Sequence, residues 1–374
     1  MSRYHHSYIG KNLFLLLTLY MNNVFAMAYT PVSTETIIAK WPNNRGHDKV
    51  NKKNKTPFLT LKKANKYLQG ANNIGQSYLY GLAQSELEPY MNENKNPQIW
   101  VGWARIQQHK HKFDMARAAL NHALALDPYN INAHLLMARI GIIKKDFKSA
   151  KSHCLKLFGK SDLNTASICL LEISSYQGKL AESYQRLSQM KTGQSIGAIH
   201  DNWLTLILAD MAYRLKKFNE SEHWLDLALD QEKTSQSLHR NITFLTEWSD
   251  IKLLLEKPKQ VLSRLEALTQ SEPAIEDTLI LRLALAEKQM NQLENKSSSK
   301  WQKFIQQKVY LREQRKDIHH AADLAHYYLE IEPKHTKAMY WAQVNWNQAQ
   351  EHKDLRLLNR AKNFQQKMTN QLNE

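Results

Sequence analysis

Small residues return through the middle of this chain at an interval too regular for unrelated helices. Ala83, Ala116, Ala150 and Ser183 are separated by 33, 34 and 33 residues, and Ser221 follows after 38. Val261 and Ala321 continue the series at wider spacing. A period in this range marks a supersecondary unit that cannot bury its apolar face alone and must stack on copies of itself. The stretch from Pro97 to Pro128, PQIWVGWARIQQHKHKFDMARAALNHALALDP, shows what one unit contains. Trp100, Trp103 and Ala104 fall at the spacing of one helix, and Ala116, Leu120 and Ala123 at that of a second. Small side chains at Ala104 and Ala116 let the two backbones approach, bulky ones fill the gaps beside them, and Pro128 ends the second helix.

A stack of this kind suits the length of 374 residues, because each unit touches only its neighbours and no single core has to grow. Only 11 Gly and 9 Pro interrupt the chain, and alternating β-branched runs are few, so the composition favours an all-α fold.

The unit's pattern recurs with substitutions. Met137-Ala138, Gly141, Phe147, Ala150 and Cys154 take the places of Trp103-Ala104, Gln107, Phe113, Ala116 and Leu120. Leu170-Leu171, Leu180, Ser183, Leu187 and Met190 do so next, then Leu208-Ala209, Ala212, Phe218, Ser221, Leu225 and Ala228. Lys145-Asp146, Gly178-Lys179 and Lys216-Lys217 stand where a helix pair must reverse. On these residues the chain resembles a tetratricopeptide repeat (TPR) protein from about Gly75 to Ala228. The resemblance implies a right-handed superhelical solenoid of antiparallel helix pairs over residues 59–374, with about six to eight repeats. They are clearest over 75–230 and divergent over 242–332, where Leu245, Trp248, Val261, Leu265 and Leu268 fit a pair ended by Pro273. Trp301 to Glu332 reads as a further pair, and 336–367 as a terminal capping pair.

In that family the first helices line a concave groove. The register then turns Gln98, Arg105, Gln108 and His109 inward from one unit, and Asn132, Arg139 and Ile143 from the next. Glu172 and Tyr176 follow in the third, and Trp203, Asp210, Tyr213 and Arg214 in the fourth. Arg105 and Arg139, 34 residues apart, would stand one above the other and receive a carboxylate or an acidic peptide through bidentate hydrogen bonds. Some TPR proteins grip a chaperone's carboxyl terminus through Lys and Asn on successive first helices; Val101 and Arg105 stand at those places here, so that ligand is not implied. Cys154 and Cys169 fall on neighbouring helices in this register, which leaves two readings open, a disulfide or two buried thiols.

Location bears on that choice. Arg3 and Lys11 flank a basic start, Leu13 to Tyr20 is nearly all apolar, and Ala26-Met27-Ala28 offers small residues where a signal peptidase cleaves. Residues 1–28 read as a signal peptide cut after Ala28, and 29–58 as a basic, disordered linker. A signal joined to TPR units looks like an exported bacterial protein of the periplasm. The formal net charge is +16; removing Arg3 and Lys11 leaves +14. That excess favours acidic partners or an anionic membrane surface, and no nucleic acid is expected in that compartment.

No Gly-rich phosphate loop, G-x-S-x-G elbow or Cys/His signature is present, so no catalytic residue and no cofactor is expected. His109 with His111, and His319, His320 and His326, lack the Cys or carboxylate companions of a ligand set, so no metal is expected. The sequence thus predicts a non-enzymatic scaffold that holds a protein or peptide in its groove and helps assemble or position envelope components. The alternative is a peripheral adaptor footed on anionic membrane by its basic amino-terminal segment. Partner identity and oligomeric state are not written in the sequence.

Overall fold

The computed structural model describes residues 57–92, 95–193, 198–231, 237–271, 275–295 and 299–372. The signal-peptide expectation and residues 29–56 of the expected linker lie outside them. The chain divides at Lys55 into two units, and the described residues belong to the second, Thr56–Glu374.

The described residues contain eighteen α-helices and two short 3-10 helices, Glu88–Tyr90 and Ile318–His320. The first ten are α1 (Pro57–Gly70), α2 (Leu79–Leu87), α3 (Pro97–His109), α4 (Phe113–Leu126), α5 (Ile131–Ile143), α6 (Phe147–Leu155), α7 (Leu163–Tyr176), α8 (Leu180–Gly193), α9 (Ala198–Arg214) and α10 (Phe218–Gln231). A short α11 (Ser237–Arg240) precedes α12 (Ile242–Leu254), α13 (Pro258–Ser271), α14 (Asp277–Glu294) and α15 (Lys300–Gln314). The last are α16 (Ala321–Glu330), α17 (His335–Gln348) and α18 (His352–Leu372).

First helices begin on short polar caps. Asn96, Asn130, Asp162 and Asn241 accept backbone N–H bonds at the starts of α3, α5, α7 and α12, which satisfies donors the helix itself leaves over. The reversals inside five pairs, and the one between α15 and α16, share one geometry. His111, Lys145, Gly178, Lys216, Glu256 and Lys316 all have positive φ, between 49° and 90°. After each, the next residue's N–H donates back five positions, as Lys112 to Gln107, Asp146 to Gly141 and Asp317 to Arg312 do. This is a Schellman closure, and it aims the chain back along the helix just left. Five residues beyond each left-handed residue lies one small or branched apolar-facing residue, namely Ala116, Ala150, Ser183, Ser221, Val261 and Ala321, none more than 1% exposed. The periodic residues of the sequence are therefore buried at one fixed place after each reversal.

The protein is an all-α solenoid of antiparallel pairs: α1/α2, α3/α4, α5/α6, α7/α8, α9/α10 and α12/α13. Towards the carboxyl end the pairing departs from expectation. α14 packs on α15 and α16 on α17, in place of a pairing within 301–332, while α17 also packs on α18. The cause is α14, where every residue from Leu279 to Glu287 is buried, so that it needs neighbours all round. It takes them from α12, α13, α15 and α16. The buried Arg282 ties this row together, donating to Asp250 on α12 and to Asp323 on α16. Cys154 on α6 and Cys169 on α7 form a disulfide.

Candidate functional site

The inner surface of the amino-terminal pairs is a polar trough. Gln98, Arg105 and Gln108 on α3 and Asn132 and Arg139 on α5 line a single cavity of about 760 Å³, joined by Asn65 and Gln69 of α1 and by Tyr80 of α2. Its far wall comes from distant parts of the chain, Thr243, Ala349 and Glu351.

Arg105 meets no carboxylate among the described residues; its Nη2 donates to the Leu68 carbonyl at 3.4 Å. Desolvation lowers its pKa, but a guanidinium stays charged. His109 stacks on Tyr80 with ring centroids 3.5 Å apart. Desolvation, followed by the charges of His111 and Lys110, pushes the His109 imidazole down to about 4, so Arg105 is the charged group at this end of the trough.

At Arg139 the trough holds a carboxylate of the chain itself. Arg139 pairs with Glu351, 212 residues away, in the link between α17 and α18. The same link donates the Gln350 N–H to the Ile143 carbonyl at 3.1 Å and buries Ala349 against the apolar cluster of Val101, Phe113 and Ile143. Glu172 on α7 lies 3.6 Å from the same guanidinium. Lys353 reaches Glu351 at 3.4 Å and Glu247 on α12 at 3.8 Å, and the Arg356 guanidinium sits 3.8 Å above the Tyr213 ring.

These neighbours divide the carboxylates. Burial opposes ionisation of Glu351, but Arg139 and Lys353 outweigh it and hold its carboxyl down at about 2. Burial pushes Glu172 up to about 7 even though Arg139 pulls the other way. The Glu351 charge in turn raises the pKa of Arg139.

The expected groove residues thus fall into three groups. Gln98, Arg105, Gln108 and Asn132 face the cavity, with Arg139 between it and Glu351. Glu172, Asp210 and Arg214 do not line the cavity; Glu172 faces Arg139, while Asp210 and Arg214 on α9 bond to Tyr176 and Ser175 of α7. Arg214 is only 3% exposed, donates to Asp210 at 2.8 Å and to Ser175 Oγ at 2.6 Å, and lies over the Tyr176 ring. Trp203 departs from expectation; its indole packs against the apolar clusters on either side of α7 and α9 instead of lining the cavity. Glu247, in the divergent region, and Glu351, Lys353 and Arg356, in the terminal segment, carry no signal in the sequence, because they meet the trough only through long-range folding.

No family model matches the chain, and no curated protein matches it. Solved structures similar to it include pilF of Pseudomonas aeruginosa, 15% identical over 57% of this chain and 94% of that one, with a TM-score of 0.33. A tetratricopeptide repeat protein from Parabacteroides merdae is 11% identical over 81% of this chain and 98% of that one, with a TM-score of 0.36. The P58(IPK) TPR domain is 11% identical over 82% and 99%, with a TM-score of 0.24. These likenesses are distant, and the solenoid assignment rests on the helix packing itself.

Proposed function

We propose that this protein is an exported, non-enzymatic scaffold that holds a protein or peptide partner in the trough of α1, α3 and α5 and so positions envelope components. The observation that carries this reading is the convergence of Gln98, Arg105, Gln108 and Asn132, from two successive first helices, on one cavity of about 760 Å³. Its size is that of a ligand pocket, and its amides and guanidinium suit the hydrogen-bonding groups of an extended polypeptide. Export is supported by the basic and apolar pattern ending at Ala26-Met27-Ala28 and by the Cys154–Cys169 bond, which an oxidising compartment sustains.

The test is position-specific photo-crosslinking in the full chain within its own envelope. A photoreactive residue at Gln98 or Asn132 is expected to capture a discrete partner, while one at Lys148, on the second helix of its pair, is not. Equal capture from both faces, or none from the trough, would end the proposal. Amino-terminal sequencing of the purified protein is expected to begin at Tyr29.

A further inference from the structure

The structure contains its own example of what a first helix in this trough receives. On α5, Arg139 takes the Glu351 carboxylate while the Ile143 carbonyl, four residues on, accepts the N–H of Gln350. The ligand is the link between α17 and α18, extended at Ala349 with φ −133° and ψ 142°, and the Ala349 side chain is buried beside the contact. Three features recur along it, a small apolar residue, a backbone donor and a carboxylate.

The preceding first helix presents the same pair of groups. Arg105 and His109 on α3 stand 34 residues before Arg139 and Ile143. Like Ile143, His109 is the last residue of its helix, so its carbonyl has no intrahelical partner, and no donor among the described residues reaches it. Arg105 opens on the cavity and meets no described carboxylate. The chain before residue 57 contains only Glu35 and Asp48 as acids among many bases, a poor source for the missing carboxylate.

Resting on the scaffold reading above, we infer that Arg105 and the His109 carbonyl form a binding site for an extended acidic segment of a partner protein. A partner backbone N–H bonds to His109, and the next residue's carboxylate bonds to Arg105, as the chain's own Gln350 and Glu351 do on α5. The ligand class is a small residue, any residue, then Glu or Asp, in extended conformation.

The probe is a fluorescein-labelled peptide with the sequence of residues 346–353, beside a counterpart with Gln in place of Glu351, titrated by anisotropy into the full chain. The acidic probe is expected to bind at least about ten-fold more tightly than the neutral one, the scale of a charge-assisted contact. R105Q is expected to bring it down to the neutral level with circular dichroism and thermal midpoint unchanged, and R105K to fall between. Retention of binding in R105Q would mean that the peptide displaces Glu351 from Arg139, which overturns the site, as would equal affinity for both probes or no binding. Should R105Q misfold, a photoreactive version of the probe on the wild-type chain decides, with crosslinks expected on α1 and α3; crosslinks elsewhere overturn the inference. Partner capture at Gln98 and Asn132 that survives in R105Q would leave the scaffold reading standing while this one falls.

Discussion

Glu351 and Glu172 share one guanidinium and are driven in opposite directions by it and by burial. Glu351 has a folded pKa of about 2, below its ordinary 4.5, so its contribution to stability is present above about pH 4.5 and is lost as pH falls towards 2. Glu172 has a folded pKa of about 7, above its ordinary 4.5; its contribution is present below 4.5 and is lost as pH rises through 7. Glu351→Gln is therefore expected to lower stability at pH 7 by about 1–2 kcal/mol, kept modest because Arg139 is 42% exposed and partly screened. Urea unfolding at pH 7 checks this, and the deficit should shrink at pH 3. Glu172→Gln should do the reverse, leaving stability at pH 5 nearly unchanged and flattening its decline between pH 5 and 8. A steep decline persisting in that variant would place the titration elsewhere.

Between helices, closeness is set by residues with little side chain. A Cβ added at Gly141 would lie 2.8 Å from the Ala150 Cβ and 3.0 Å from the Asp146 carbonyl oxygen, atoms of the partner helix and of the turn that cannot yield. Gly141→Ala is expected to cost about 1–3 kcal/mol despite its gain in helix propensity, measurable as a lower urea midpoint at unchanged m value. The disulfide ties α6 to α7 across 15 residues, and its reduction should cost roughly 3 kcal/mol, read as the difference in midpoint with and without dithiothreitol. This scale is also where the sequence spoke most clearly. Lys145, Gly178 and Lys216 were visible as turns, and Ala116, Ala150 and Ser183 as contact points, because a reversal and a close approach each demand particular residue types at fixed distances. The place of α14 was not visible; a helix buried on every side has no polar stripe by which its neighbours are announced.

Taken whole, the solenoid is tied back on itself at two places. Ile74 donates its N–H to the Arg240 carbonyl and Ile242 donates to Asn72, while the Gly75 N–H bonds to the Glu276 carboxylate, so the α1–α2 link is fastened to the start of α12 and α14. The α17–α18 link is fastened to α5. An open stack melts piecemeal from its ends, whereas a stack with both ends fastened should unfold as one body. Tryptophan probes near α3 and near α17 are expected to report a single coincident transition. The double variant Ile74→Ala with Glu351→Gln, the first keeping the backbone bonds but removing a side chain buried in the apolar cluster of α12, is expected to split it in two. None of this was legible beforehand. The first-helix register placed Gln98, Arg105, Gln108 and Asn132 on one surface, but a pairing between residues 212 positions apart leaves no periodic trace.

The fastening also has an order in time. Arg139 leaves the ribosome well before Glu351, and at roughly 5–20 residues per second the 212 intervening residues take about 10–40 s to make. For that interval the Arg139 guanidinium has Glu172 beside it but lacks the Glu351 carboxylate that fills this part of the trough in the finished molecule. A newborn copy and a mature copy therefore offer different surfaces to acidic companions, and the last helices to be made are the ones that end the difference.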